Sequence, residues 1–214
     1  AKEIFIPLTV GGGIRSVEDI SNLLHAGADK VSINTAVIAN PDLISSAANV
    51  FGASTIVVGI EAIRQTDGKY LAFTDNGRNN TGKEVIGWAK EAEELGAGEI
   101  SLTCVDQEGA GKGYNFDLIR QVNNAVNIPV VAHGGAGKQQ HVSDLFREVP
   151  VSGVAISSLF HYDYIQNYRQ IDGYEEEGNI EFLKSKRVLR NIDGSSIDDL
   201  KHFLIEKNIP CRKI

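Results

Sequence analysis

Short apolar runs alternate with amphipathic segments along most of this chain. The apolar runs predict buried strands at residues 4–10, 30–34, 54–60, 99–105, 128–132 and 153–156. The amphipathic segments predict helices at residues 17–26, 41–50, 83–95, 116–125, 139–147 and 196–207. Strict alternation of strand and helix, with strands that are apolar throughout, is typical of an α/β fold built on a parallel sheet.

Signals for helix starts support this reading. Ser16 and Asp19 have the spacing of a capping box, in which each side chain binds the backbone N–H of the other residue. Asn40 followed by Pro41 predicts a capping residue and then a proline in the first helical turn.

Two segments depart from the alternation. Residues 70–74, preceded by Asp67-Gly68, predict a hairpin inserted after the third strand, at the position of a lid. Residues 172–194 are charged and weakly periodic, and we expect them to form a surface insertion whose charges are solvated.

A glycine-rich strand end occurs twice, as Val10-Gly11-Gly12-Gly13-Ile14 and as His133-Gly134-Gly135-Ala136-Gly137. A small hydroxyl residue follows each copy at the same distance, Thr35 after the first and Ser157 with Ser158 after the second. Glycines allow backbone N–H groups to approach a ligand closely, and a helix that starts just after them adds the positive end of its dipole. This internal repeat predicts two phosphate sites that face each other, and therefore a long substrate with a phosphate at each end.

The repeat favours a closed (β/α)8 barrel of the TIM type over an open doubly wound sheet. Two similar half-units fit a closed geometry, and such barrels carry phosphate sites at the C-terminal ends of their late strands. The type has eight strands, whereas the apolar runs predict six, and the first run lies at the start of the sequence. We therefore expect residues 1–214 to be a single barrel domain with about six of eight β/α units, lacking its first two because the chain is a fragment or has lost residues.

Composition excludes several classes of function. The net charge of -7, without a basic run, argues against a nucleic-acid partner. The two cysteines, Cys104 and Cys211, are too few for a disulfide framework and fit a reducing cytoplasm. No run approaches the ~20 apolar residues of a membrane span, and no signal-peptide pattern is present, so we expect no membrane association. The five histidines lack paired ligand spacing, so neither a metal nor another cofactor is expected.

Four segments together closely resemble the cyclase subunit of imidazole glycerol phosphate synthase. They are Thr9-Val10-Gly11-Gly12-Gly13-Ile14, Gly27-Ala28-Asp29-Lys30-Val31-Ser32-Ile33-Asn34-Thr35, Gly96-Ala97-Gly98-Glu99-Ile100 and Gly134-Gly135-Ala136-Gly137-Lys138. The resemblance covers nearly the whole chain outside residues 172–194. It implies an enzyme of histidine synthesis that receives ammonia from a glutaminase partner and uses it to cleave and cyclise a bisphosphorylated ribulosyl-formimino nucleotide.

The resemblance also implies which residues bind the two phosphates. Gly13, Asn34 and Thr35 match one site of the family. The residues that match the other site, together with Gly134 from the repeat, are Glu108, Gly109, Gly135, Ser157 and Ser158.

Two carboxylates are the catalytic candidates. Glu61 stands where the family has the aspartate that ends its fifth strand, and its longer side chain can misplace a proton donor, where about 1 Å can cost ~100-fold in rate. The family's other acid, an aspartate on its first strand, has no counterpart here. Asp106 also ends an apolar strand, where a charge is costly unless it is used; the alternative is that it caps a helix or pairs with Arg64.

Lys30 and Glu99 lie at the opposite, N-terminal ends of their strands. In the family these positions form a charged gate through which ammonia enters the barrel. Read without the resemblance, they would form a structural salt bridge.

Three departures from the family pattern leave other functions open. Glu108 replaces an aspartate, Ala110 a threonine and His133 a serine; His133 either donates to a phosphate or simply packs. The alternatives are a paralogous synthase subunit that amidates a nucleotide sugar for surface polysaccharide, the sister isomerase of the same pathway, and a truncated barrel that binds phosphate without catalysis.

Overall fold

The computed structural model describes residues 5–167 and 191–212. Its strands are β1 Thr9–Gly11, β2 Lys30–Ile33, β3 Ile56–Arg64, β4 Tyr70–Thr74, β5 Asn79–Glu84, β6 Glu99–Cys104, β7 Val130–His133 and β8 Gly153–Ala155. Its α-helices are α1 Val17–His25, α2 Thr35–Ala39, α3 Asp42–Phe51, α4 Val85–Glu94, α5 Phe116–Ala125, α6 Gln139–Glu148, α7 Ser158–Asn167 and α8 Ile197–Glu206. None of the described helices is long and apolar enough to cross a bilayer.

Six of the strands form one parallel sheet in the order β1-β2-β3-β6-β7-β8. The remaining two add an antiparallel extension, in which β4 pairs with the end of β3 and β5 pairs with β4. All six strands predicted from apolar runs are present, so the predicted parallel α/β architecture is confirmed.

The two faces of the parallel sheet differ in burial. In β6, Ile100, Leu102 and Cys104 are buried, whereas Ser101 and Thr103 between them are only partly covered, and β2 and β7 alternate in the same way. Helices therefore cover one face, as in a barrel, and not both faces, as in a doubly wound sheet. Six parallel strands with helices on one face form a partial (β/α)8 barrel, which confirms the predicted fold class.

The core lies between this sheet face and the helices. Its largest side chains with almost no exposed surface come from the helices, namely Ile20, Ile44, Trp88, Leu118, Ile119, Leu145 and Leu159, and from the strands, namely Val31, Ile56, Ile60, Ile100 and Leu102. Burial of one such side chain contributes roughly 1.5–3 kcal/mol, so this layer holds the strand ends in place.

The predicted capping box is present at the start of α1. The Ser16 hydroxyl accepts from the Asp19 N–H at 3.1 Å, and the Asp19 carboxylate accepts from the N–H of Ser16 at 3.0 Å. The prediction for Asn40 was wrong, because α3 has Pro41 at its N-cap and no side-chain capping bond. Asn40 ends the preceding helix α2 instead.

Three element predictions needed correction. The first strand begins at Thr9 and not near residue 4, since Phe5 and Ile6 are exposed and Pro7 has no N–H to donate. The strand β3 runs on to Arg64 because β4 pairs with its second half; this pairing confirms the predicted hairpin and β5 extends it. The helices α2 and α7 were not predicted at all.

Of the predicted insertion at 172–194, residues 172–190 lie outside the described part of the chain. Residues 191–196, here called the strap, pack against the barrel: Ile192 is only 3% exposed, and the Asp193 N–H donates to the Gly137 carbonyl at 2.8 Å. Lys138 and Asp193 add an ion pair at 3.5 Å. Ile192 is therefore packed, whereas the charged side chain of Asp193 is exposed, and the charged surface insertion at 172–194 stays a prediction.

We predict that Gly98→Ala destabilises the fold. A Cβ at this position would lie 2.1 Å from the carbonyl oxygen of Ala53, so the backbone before β3 or β6 must move. Overpacking of this kind costs about 2 kcal/mol of unfolding free energy, measurable by urea denaturation. Gly87→Ala is the matched control, because its Cβ would meet only the Glu84 carboxylate, at 3.6 Å; equal losses in both variants would refute the prediction.

Candidate active site

A cavity of about 840 Å³ opens at the C-terminal ends of β1, β2, β3 and β6. Its wall brings together the first glycine copy, the three predicted residues of the first phosphate site, Gly13, Asn34 and Thr35, and the catalytic candidate Glu61. This is the end of a parallel sheet where barrels bind their ligands.

The first glycine copy is open to the cavity. Gly12 and Gly13 have φ angles of 100° and 71°, a region that favours glycine, and a Cβ on either would meet nothing within 4 Å. Asp19 fixes the next residues, since its carboxylate accepts from the backbone N–H of Arg15 at 2.9 Å. That bond, followed by the one from the Ser16 hydroxyl, holds the pKa of Asp19 below its ordinary value. Arg15 lines the cavity and brings a positive charge to it.

Asn34 leaves one polar atom for a ligand. Its amide nitrogen donates to the Phe73 carbonyl at 3.3 Å, while its Oδ1 is buried and has no partner among the described residues. A buried acceptor without a donor is costly, so Oδ1 is a natural partner for a ligand donor. Thr35, the next residue, is exposed at the start of α2.

Glu61 lies on the partly covered face of β3 and is held by a turn. Its Oε2 accepts from the Gly77 N–H at 2.7 Å. Asp75 and Asn76, in the same turn between β4 and β5, have positive φ angles of 54° and 57° and line the cavity. The turn that follows the predicted lid segment 70–74 therefore contributes both a wall of this cavity and an anchor for Glu61.

A second cavity, of about 220 Å³, contains the second glycine copy. Its lining includes every residue predicted for the second phosphate site, namely Glu108, Gly109, Gly134, Gly135, Ser157 and Ser158, and it also includes His133. The glycines here are buried and crowded, since a Cβ on Gly134 would lie 2.6 Å from the Cys104 carbonyl oxygen and one on Gly135 2.1 Å from that of Gly113. Ser158 begins the ten-residue helix α7.

Neighbouring backbone supports this second copy from behind. The Gly113 N–H donates to the Gly135 carbonyl at 2.8 Å, and the Gly137 N–H donates to Nδ1 of His141 at 3.2 Å. The strap lies against the same turn, with the Asn191 carbonyl oxygen 2.4 Å from where a Cβ on Gly137 would be. A larger residue at Gly137 would therefore displace the strap.

Asp106 is not grouped with Glu61. It lines a third cavity, of about 530 Å³, with Arg64 and Asn115, and its carboxylate accepts from the backbone N–H of Arg64 at 2.8 Å. Burial, followed by the charge of Asp106, raises the pKa of the nearby Cys104 thiol. A catalytic role for Asp106 stays a prediction.

Lys30 and Glu99 meet at the other end of the sheet. Lys30 Nζ lies 2.6 Å from Glu99 Oε2, and the bridge crosses β3, which separates β2 from β6. Between this pair and the mouth of the cavity the lining residues are small, namely Ser32, Gly59 and Ser101. The ion pair itself is not part of the cavity wall, and Val57, which pairs with Glu99 and is buried, lies between the pair and Gly59.

Several residues of the site were not found from the sequence. Arg15 and Thr103 line the larger cavity, and His141 binds the second glycine turn. Strand alternation could have indicated Thr103, which shares a face with Glu99. The positions of Arg15 and His141 depend on turn geometry that no spacing reveals. Within residues 5–167 and 191–212, no three His, Cys, Asp or Glu side chains are grouped so that they could hold a metal ion.

Comparisons with known proteins agree with this geometry. The sequence model of a family described as "Histidine biosynthesis protein" matches residues 1–166. The chain is 44% identical over 162 residues to imidazole glycerol phosphate synthase subunit HisF of Streptococcus mutans serotype c, covering 76% of this chain and 64% of that protein. It is 45% identical over 165 residues to the protein of the same name from Alkaliphilus metalliredigens, covering 77% and 66%. The chain thus spans just under two thirds of the length of these relatives.

We predict a pH-dependent contribution of His141 to stability. Burial, and then the positive charge of Lys138, lower the pKa of His141, although Asp144 and Asp193 act in the opposite direction. The unfolded chain therefore binds the proton more readily, so stability falls as the pH drops from about 6.5 through the lowered folded pKa. Protonation also removes the Nδ1 acceptor of the Gly137 N–H.

Urea unfolding at pH 7.5 and 5.5 checks this prediction. The protein with His141 should lose more stability between the two values than the His141→Asn variant, which keeps an acceptor but cannot titrate. Equal losses would show that His141 does not contribute.

Proposed function

This chain belongs to the histidine biosynthesis protein family, and we propose that it acts as the ammonia-dependent cyclase subunit of imidazole glycerol phosphate synthase. The reaction converts a bisphosphorylated formimino-ribulosyl nucleotide into imidazole glycerol phosphate and an aminoimidazole nucleotide. The observation that carries the proposal is the pair of glycine-lined cavities at the C-terminal ends of strands in one sheet. We also propose that the protein acts in the cytoplasm.

The two cavities suit a substrate with a phosphate at each end. In the larger cavity, the open backbone of Gly12 and Gly13 can approach one phosphate, with Arg15 supplying positive charge and Thr35 a hydroxyl. In the smaller cavity, the turn at Gly134 and Gly135 meets the start of α7 at Ser158.

Glu61 is proposed to transfer protons in the cyclisation. The Gly77 N–H donates to Oε2 and orients the carboxylate, while Oε1 has no hydrogen-bond partner among the described residues and can face a substrate. A fixed carboxylate within reach of the substrate is what general acid–base catalysis requires. The anchoring turn compensates for the longer side chain, since it limits the positions that the carboxylate can take.

A glutaminase subunit is the proposed partner. The Lys30–Glu99 pair is the proposed gate through which ammonia from that subunit enters the barrel. The pair lies at the end of the sheet opposite the larger cavity, and the cavity wall nearest to it consists of the small residues Ser32, Gly59 and Ser101. Ammonia released at that end would have to pass this wall to reach Glu61.

The names of the two similar relatives favour this function over the alternatives. Both are synthase subunits of the proposed kind, at 44% and 45% identity. Neither name supports the sister isomerase, a sugar-amidating paralogue or a barrel without activity. The substitutions at Glu108, Ala110 and His133 then change the contacts within the second phosphate site and not the reaction class.

We predict that Glu61→Gln lowers ammonium-dependent turnover by about 10²–10⁴-fold, because an amide cannot exchange the proton. The assay follows loss of the substrate's absorbance with ammonium as nitrogen source. Glu61→Asp should keep more activity than Glu61→Gln, and the exposed Glu94→Gln should match the unchanged protein. Turnover that survives Glu61→Gln would remove Glu61 from the mechanism.

We predict that Lys30→Ala reduces glutamine-dependent turnover more than ammonium-dependent turnover. The variant removes one half of the 2.6 Å ion pair at the proposed entrance but leaves the catalytic end unchanged. Both assays are run with the glutaminase subunit present, and the exposed Lys90→Ala serves as the control. If both nitrogen sources lose activity equally, Lys30 is a structural residue and not a gate.

A further inference from the structure

We propose that His133 is a phosphate-binding residue of the smaller cavity, held in position by Thr103. The inference rests on the proposed function, because it concerns the second phosphate of that substrate. In this proposal, the second phosphate of the substrate is bound by the His133 imidazole as well as by backbone N–H groups.

The sheet register aligns His133 with the catalytic candidate. Glu61 of β3 pairs with Thr103 of β6, and Thr103 pairs with His133 of β7. The three side chains therefore form one row across the partly covered face of the sheet. Thr103 lines the larger cavity and His133 the smaller one, so the bond between them joins the walls of the two cavities.

That bond fixes the imidazole ring. Thr103 Oγ1 lies 3.2 Å from His133 Nδ1, and within the described part of the chain no partner contacts Nε2. When the threonine hydroxyl donates to Nδ1, Nε2 carries the hydrogen and becomes a donor. A histidine that only packed in the core would be buried, whereas His133 is partly exposed at the cavity wall.

Charge in the smaller cavity supplies the second argument. The Glu108 carboxylate is part of its lining and repels a phosphate dianion. Neither lysine nor arginine is among the lining residues, so the side-chain donors there are His133 and the hydroxyls of Ser157 and Ser158. The larger cavity differs, because Arg15 lines it. A phosphate in the smaller cavity would therefore accept a hydrogen bond from Nε2 of His133, and this bond would offset the repulsion by Glu108.

The test is a titration with inorganic phosphate, followed by the NMR signals of the glycine amides and the histidine rings. Gly134 and Gly135 report on the smaller cavity, and Gly12 and Gly13 on the larger one. We expect His133→Asn to weaken binding at the smaller cavity about 10-fold, as for loss of a charge-assisted hydrogen bond, and to leave the larger one unchanged. His202→Asn, on the exposed face of α8, is the matched control.

Thr103→Val separates positioning from binding. It removes the hydroxyl at similar size, so the His133 ring signal should change its tautomer pattern and phosphate should bind more weakly than to the unchanged protein. In the unchanged protein, phosphate should shift the His133 ring signal together with the Gly134 and Gly135 amides.

Three results would overturn the inference. If His133→Asn binds phosphate at Gly134 and Gly135 with unchanged affinity, His133 does not bind phosphate, and the proposed function is unaffected. Equal weakening at both glycine pairs would show that the variant acts on the fold as a whole. A lack of phosphate binding at either pair in the unchanged protein would contradict the proposed function itself, and the inference with it.

Discussion

The parallel register of β3, β6 and β7 is the constraint on which the site depends. Hydrogen bonding between these strands fixes Glu61, Thr103 and His133 at one height, and side-chain alternation directs all three to the face that the helices do not cover. A slip of one residue in β6 would turn Thr103 toward the helices and place the apolar Cys104 or Leu102 in the row. The buried layer of Ile100, Leu102 and their neighbours therefore does more than stabilise the barrel, since it prevents that slip.

The two glycine copies are similar in sequence but not in physical role. In the first copy, Gly12 and Gly13 face open space, and glycine is needed there for its backbone conformation. In the second copy, Gly134 and Gly135 sit against the carbonyls of Cys104 and Gly113, so glycine is needed for lack of room as well. The repeat indicated two sites but could not show this difference, because the crowding comes from loops that are distant in sequence.

Apolar runs predicted the parallel strands well, since every second side chain of these strands is buried on the helix side. They did not predict the second half of β3, which forms because β4 pairs with it. They also missed α7, because this helix has little amphipathic pattern. Motif spacing predicted Glu61 and the residues of two phosphate sites, and these residues line two cavities. It could not place Asp106, whose carboxylate is turned to the Arg64 backbone by the 3-10 turn Val105–Gln107, nor show that Thr103 orients His133.

Because the strap lies late in the sequence, the residues that form the two cavities are completed at different times during synthesis of the chain. The larger cavity is lined by residues 11–103, all of which are translated before the strap. The loops of the smaller cavity are held by contacts from Asn191 and Asp193, the first to Ala110 and the second to Gly137. On a ribosome, all residues that line the larger cavity can therefore be present while the strap that supports the smaller cavity is still being translated.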